Sequence, residues 1–228
     1  MQNEVIIKAN KVTKNFKMES KTFEALKGVS MEIYSNKISV IIGSSGAGKS
    51  TLLHILGALD KPTSGEVTIN GKQIHLMNDK QVSAFRSTEV GFVFQFHHLL
   101  PEFSAAENIA IPLMIAGKSK KQSLVRAEEL LELVGLSSKG DNKPAELSGG
   151  EQQRIAVARA LANNPSIIFA DEPTGNLDSI NSNSINKIFQ TLRDELKKTF
   201  VIVTHNAELM KQADYLYEIK DGVIKPGN

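Results

Sequence analysis

Apolar residues fall along this chain in two patterns. Short unbroken runs rich in β-branched residues, at 38–42 (Ile-Ser-Val-Ile-Ile), 167–170 and 200–203, have the form of strands covered on both faces, as in a parallel sheet. Two further apolar stretches, 5–12 and 29–33, read as strands near the start. The pair Asn70-Gly71 stands between two strand-like runs and marks a tight hairpin. From 79 to about 162 the pattern turns mostly helical, most plainly at 121–134, where Leu124, Ala127, Leu130, Leu131 and Val134 recur at helical spacing. A helical stretch at 182–198 then separates two of the buried strands, and the segment 215–224 closes as a hairpin turning at Lys220-Asp221-Gly222. The pattern predicts an α/β protein with a mainly parallel sheet, an antiparallel β part and a helical insert. The expected organisation is a single domain over 1–228, its core at 1–78 and 163–228 and its helical subdomain at about 79–162.

The 228 residues suffice for one sizeable core, and 41% hydrophobic with 23% charged residues is a globular composition. A net charge of +2 supplies no field that would gather nucleic acid, so no nucleic-acid partner is expected. The absence of cysteine removes disulfides, thiolate nucleophiles and Cys-ligated zinc. The first eight residues, Met1-Gln2-Asn3-Glu4-Val5-Ile6-Ile7-Lys8, lack the basic and apolar regions of a signal peptide, and no run of ~18 apolar residues offers a membrane span. Any membrane connection is expected to come through another protein.

Chemistry concentrates first in Gly43-Ser44-Ser45-Gly46-Ala47-Gly48-Lys49-Ser50, a G-x-x-x-x-G-K-[ST] sequence between a buried strand and a helical segment that opens at Thr51. Glycines let the backbone wrap a polyphosphate with its N–H groups inward. Lys49 then reaches the terminal phosphates, and the Ser50 hydroxyl ligates Mg²⁺. A second strand ends in Asp171-Glu172. An Asp in this place completes a magnesium shell in P-loop enzymes, and the Glu beside it is a candidate general base for an attacking water. Between the two lies Leu147-Ser148-Gly149-Gly150-Glu151, opening a helix. By itself this is an N-cap; with two glycines behind the serine it is also an anion-binding helix start.

These three segments, in this order, resemble the nucleotide-binding subunits of ATP-binding cassette (ABC) transporters across nearly the whole chain. Leu-Ser-Gly-Gly-Gln/Glu is the signature that separates that family from other P-loop proteins. The resemblance implies ATP as substrate with Mg²⁺. It places Gln95 at the Q-loop, near magnesium and water, and Gly175-Asn176-Leu177-Asp178 at the D-loop. His205 stands at the position that contacts the γ-phosphate, and Phe16 at that of the aromatic that stacks on adenine. It further implies a head-to-tail homodimer in which Ser148, Gly149, Gly150 and Glu151 of one chain close over ATP held by the P-loop of the other. Asn36-Lys37, Phe16 and Asn206 depart from the usual family residues; Asn36 should still accommodate a positive-φ turn.

The segment Gly91-Phe92-Val93-Phe94-Gln95-Phe96-His97-His98-Leu99-Leu100-Pro101-Glu102-Phe103 is similar to the branch that powers lipoprotein release, LolD-like ATPases. Ala106-Glu107-Asn108-Ile109-Ala110 and Pro112-Leu113 continue the likeness. That branch implies integral membrane subunits of LolC/LolE type docking on the region from Gln95 to Phe103. It implies a peripheral location on the cytoplasmic face of an inner membrane and no direct contact with the lipoprotein. The neighbouring branches, MacB-type exporter ATPases and the cell-division ATPase FtsE, share the scaffold; His97-His98 is the distinguishing pair. His54 and His75 are expected to be structural.

Overall fold

The computed structural model describes residues 4–18 and 21–225. Met1, Gln2 and Asn3, where the N-terminal reading begins, lie outside the described residues, as do the ends of the expected 1–228 domain. In chain order the elements are β1 (Val5–Met18), β2 (Lys21–Tyr34), β3 (Ile38–Ile42), α1 (Lys49–Leu56), β4 (Ser64–Ile69), β5 (Lys72–Gln73), α2 (Asp79–Glu89) and β6 (Val90–Phe94). There follow α3 (Ala105–Ile115), α4 (Lys120–Leu133), α5 (Gly149–Ala160), β7 (Ile167–Asp171), α6 (Ser179–Asp194), β8 (Thr199–Val203), α7 (Ala207–Lys211), β9 (Tyr215–Lys220) and β10 (Val223–Ile224). Among the described residues no helix is long and apolar enough to cross a membrane. The chain forms two compact units, one of residues 1–84 with 199–228 and one of 85–198.

In the first unit β3 runs parallel to both β8 and β9, and β10 returns antiparallel along β9. Every residue from Ile38 to Ile41 is buried, as the unbroken apolar run requires of a strand covered on both faces. Helix α1 lies against β8 and buries Lys49, Leu52, Leu53 and Leu56, one helical stripe. The antiparallel part has the strand order β2-β1-β4-β5. The β1/β2 hairpin is longer than its apolar stretches foretell, each strand having 14 residues and continuing through polar positions. The Asn70-Gly71 turn has both residues at positive φ (48° and 72°), the geometry that matches strand twist in a two-residue loop. Only Lys72–Gln73 pairs back, because Ile74 enters a 3₁₀ turn and buries its side chain. Asn36 adopts φ 58°, so the turn ahead of β3 forms with Asn in place of Gly.

In the second unit β6 pairs in parallel with β7, and α3, α4 and α5 pack on one another. The mostly helical stretch expected at 79–162 thus contains a strand. Its alternating burial, with Gly91 and Val93 inward, lacked a polar counterpart in Val-Gly-Phe-Val-Phe that would reveal the period. Gly91 is there for close packing: a Cβ on it would fall 2.4 Å from the Ala160 carbonyl oxygen of α5. Helix α4 buries Ala127, Leu130 and Leu131, and α6 buries Ile185, Phe189 and Leu192.

Candidate functional site

In the first unit the carboxyl end of β3 feeds the loop Gly43-Ser44-Ser45-Gly46-Ala47-Gly48 directly into α1. Two glycines are required sterically: a Cβ on Gly43 would sit 2.2 Å from the Ile219 carbonyl oxygen, and one on Gly48 2.6 Å from that of Ala25. Gly48 is also the N-cap residue of α1 at φ 101°, which an L side chain resists. No side chain caps this helix and no acid occupies its first turn, so its positive end is left to an external anion. Lys49 is buried, and its ammonium donates to the carbonyls of Gly43 (2.8 Å) and Ser44 (2.9 Å). An ammonium has three donors, so one remains for a phosphate oxygen. Ser44, Ser45, Gly46 and Ser50 are exposed; Ala47 is buried and Thr51 half-buried on α1.

The parallel register aligns Ile41 with Val203, so the loop and His205 leave the same end of neighbouring strands. His205 is exposed, and the backbone after it is fixed because Asn206 caps α7, accepting from the N–H groups of Glu208 (3.0 Å) and Leu209 (3.1 Å). On the hairpin, Phe16 is 40% exposed opposite Phe23, with the Lys14 ammonium 5.2 Å from its ring centroid. It presents an aromatic face on which a flat base can stack.

In the second unit Asp171 is the last residue of β7, in register with Phe94 of β6. Glu172 and Gln95 therefore emerge together from the carboxyl ends of paired strands, where α/β sheets place their ligands. Glu172 adopts φ 45°, a left-handed conformation seldom held by such a residue. Its carbonyl accepts from Gly175 N–H at 3.0 Å, closing a turn. Gln95 donates through Nε2 to Asn176 Oδ1 (3.0 Å), and Asn176 Nδ2 reaches back to the Gln95 carbonyl (3.4 Å). Gln95 and the segment Gly175-Asn176-Leu177-Asp178 are thus brought together.

Ser148 is the N-cap of α5, its hydroxyl accepting from Glu151 N–H (3.3 Å). Glu151 completes the capping box: its carboxylate accepts from Ser148 N–H (2.8 Å) and Oγ–H (2.9 Å), and Lys139 pairs with it at 3.1 Å. The two Ser148 donors, then Lys139, hold the Glu151 carboxyl down at about 2. Ser148 and Gly149 are exposed, whereas Gly150 is buried against Asn181, whose Oδ1 would lie 2.0 Å from an added Cβ. Asn181 in turn bonds Asp178, the N-cap of α6, through its N–H (2.8 Å) and its Nδ2 (2.7 Å). Those two bonds keep Asp178 below its ordinary carboxylate range. The candidate residues of this unit form two linked clusters, Gln95 with the loop after Glu172, and Ser148 to Glu151 with Asp178.

Residues 26–175, more than half of the chain, match the ABC transporter family. The chain belongs to the ABC transporter family. One relative in this family, the lipoprotein-releasing system ATP-binding protein LolD of Bacteroides thetaiotaomicron, is 50% identical over 220 residues, 96% of this chain and 99% of its own length. The protein of the same name from Saccharophagus degradans is 47% identical over 219 residues, 96% of each chain. Among solved structures, the ATP-binding cassette MJ0796, a dimer in a post-hydrolysis state with ADP and Pi, superposes with a TM-score of 0.90 at 40% identity, covering 97% of both chains. The fold is that of an ABC nucleotide-binding domain.

This ABC transporter chain also uses residues that its motifs do not single out. Arg159, near the end of α5, donates to the carbonyls of His98 and His97, both at 2.7 Å. Buried Asn108 braces the following turn, accepting from Leu100 N–H (2.8 Å) and donating to the carbonyls of Leu100, Phe103 and Ser104. Burial, opposed by the Gln152 side chain, lowers the His97 imidazole from the ordinary histidine range. On the segment so held, Phe96 (66%), Leu100 (42%) and Phe103 (41%) face solvent. His75, read as structural, bonds the Val67 backbone at 3.2 Å.

Proposed function

We propose that this chain binds and hydrolyses ATP as the nucleotide-binding subunit of an ABC transporter that powers lipoprotein release from the inner membrane towards the outer membrane. The observation that carries the ATPase reading is the loop 43–50, with its two obligatory glycines, uncapped helix start and inward Lys49. The near full-length identity with LolD relatives supports the branch.

In this reading Gly43, Ser44, Ser45, Gly46, Ala47, Gly48, Lys49, Ser50 and Thr51 hold the triphosphate and Phe16 stacks on adenine. Ser50, Asp171 and Gln95 offer oxygen donors, the set a hard, octahedral Mg²⁺ requires. Gln95 spends its Nε2 on Asn176, which leaves Oε1 as the free acceptor end. When bound, Mg²⁺ neutralises charge developing on the β- and γ-phosphate oxygens. Glu172 takes the proton of the attacking water, its backbone held in a turn closed by Gly175 N–H. His205 orients on the γ-phosphate.

Exposed Ser148 and Gly149 at the start of α5 meet ATP held by a second copy, giving the head-to-tail homodimer; Gly150, Glu151 and Asp178 shape that surface. Losing the γ-phosphate removes the bridge and lets the copies part. Phe96, Leu100 and Phe103 form the docking surface for membrane subunits of LolC/LolE type, so that the protein works peripherally on the cytoplasmic face of the inner membrane without touching lipoprotein. The test is affinity capture from detergent-solubilised membranes with the Glu172→Gln chain and ATP. Recovery of a membrane subunit carrying bound lipoprotein is expected; recovery of division-septum proteins instead would overturn the lipoprotein assignment.

A further inference from the structure

Gln153 lies inside α5 with no surface exposed to solvent, next to Ile155, Ala156 and Val157, which are also buried. A primary amide in such a place costs free energy unless it is bonded, so its partners state its purpose. Nε2 has two protons, and both go to backbone carbonyls of distant segments: Phe94 O at 3.2 Å and Pro173 O at 2.7 Å. Phe94 immediately precedes Gln95, and Pro173 immediately follows Glu172. One side chain on the signature helix therefore grips the backbone on either side of the candidate water-binding and base residues. Glu172 needs that grip, because its left-handed φ of 45° is held only where surrounding contacts over-determine it.

We propose that Gln153 is a positioning residue for ATP hydrolysis: its Nε2 fixes the Phe94 and Pro173 carbonyls and thereby aligns Gln95 and Glu172 with the signature helix. The inference rests on the ATPase reading above and deepens it. Movement of α5 when Ser148 engages nucleotide is passed to Glu172 through the bond to Pro173 and to Gln95 through the bond to Phe94. The side chain must be an amide of this length. An apolar residue removes the donor to both carbonyls, Glu offers no donor when ionised, and Asn is one methylene short.

The experiment compares the full-length wild-type chain with Gln153→Met and Gln153→Asn by steady-state ATP hydrolysis, equilibrium ATP binding and thermal melting. Because small misplacement of a catalytic group costs rate far more than binding, kcat should fall about tenfold or more in Gln153→Met, with ATP affinity held within about twofold. Gln153→Asn, which keeps both donors, should recover part of the lost kcat. Should Gln153→Met fail to fold, the Asn variant alone decides, by a lowered kcat at unchanged affinity. Wild-type kcat in either variant, or a parallel loss of kcat, affinity and melting temperature, overturns the inference. A wild-type chain that hydrolyses no ATP overturns the ATPase reading and this inference with it.

Discussion

Glu151 shows how one residue can be built to remain charged. Ser148 supplies two donors, the start of α5 supplies the positive end of its dipole, and Lys139 supplies a cation, so the carboxyl sits at about 2 against an ordinary value of 4.5. A depressed carboxyl stabilises the folded state fully above its unfolded pKa, and that contribution disappears as pH falls through the folded value. Wild type should therefore lose stability between pH 5 and about 2 more steeply than Glu151→Gln. Urea titrations at several pH values in that window check this; parallel curves would refute it. Residues bonded within a local motif, such as Lys49, Ser148 and Asp178, were visible as candidates in the sequence because their partners lie within six positions. Gln153, Arg159 and Asn108 were not, since each acts on main-chain carbonyls and any residue type supplies a carbonyl.

Elements with a single clear period were read correctly. The buried runs became β3, β7 and β8, the 121–134 periodicity became α4, and both Gly-containing turns became hairpins. What escaped was the β6 strand, whose apolar residues alternate with other apolar residues or glycine, and the outer half of the β1/β2 hairpin, where cross-strand pairing rather than burial sustains the strand. Within the segment between β6 and α3, the turn from Leu100 to Ser104 is braced by the Asn108 side chain. In Asn108→Leu a shape close to the original stays buried while Leu100 N–H and the Phe103 carbonyl lose the Asn108 amide, and the Leu100 and Ser104 carbonyls keep only their backbone donors, Phe103 N–H and Asn108 N–H. The expected cost is about 1–3 kcal/mol in unfolding free energy, measurable by urea denaturation. The same variant should capture less membrane subunit, because Leu100 and Phe103 are no longer held on their turn; full stability and full capture together would count against the bracing role.

At the scale of the molecule, a net charge of +2, the lack of cysteine and the absence of a spanning helix among the described residues leave the surface unremarkable in composition. What distinguishes it is incompleteness of a particular kind. The first unit starts α1 at an uncapped Gly48 after the loop 43–48, and the second exposes the start of α5 at Ser148 and Gly149. The uncapped start of α1 favours an anion, and exposed Ser148 and Gly149 offer the surface on which a triphosphate held by another copy can close. Nucleotide-driven dimerisation is therefore the decisive property of this chain. Light scattering on the purified Glu172→Gln chain with Mg-ATP should give twice the monomer mass, and the monomer mass with Mg-ADP. A monomer under both conditions, with ATP shown to be bound, would contradict it.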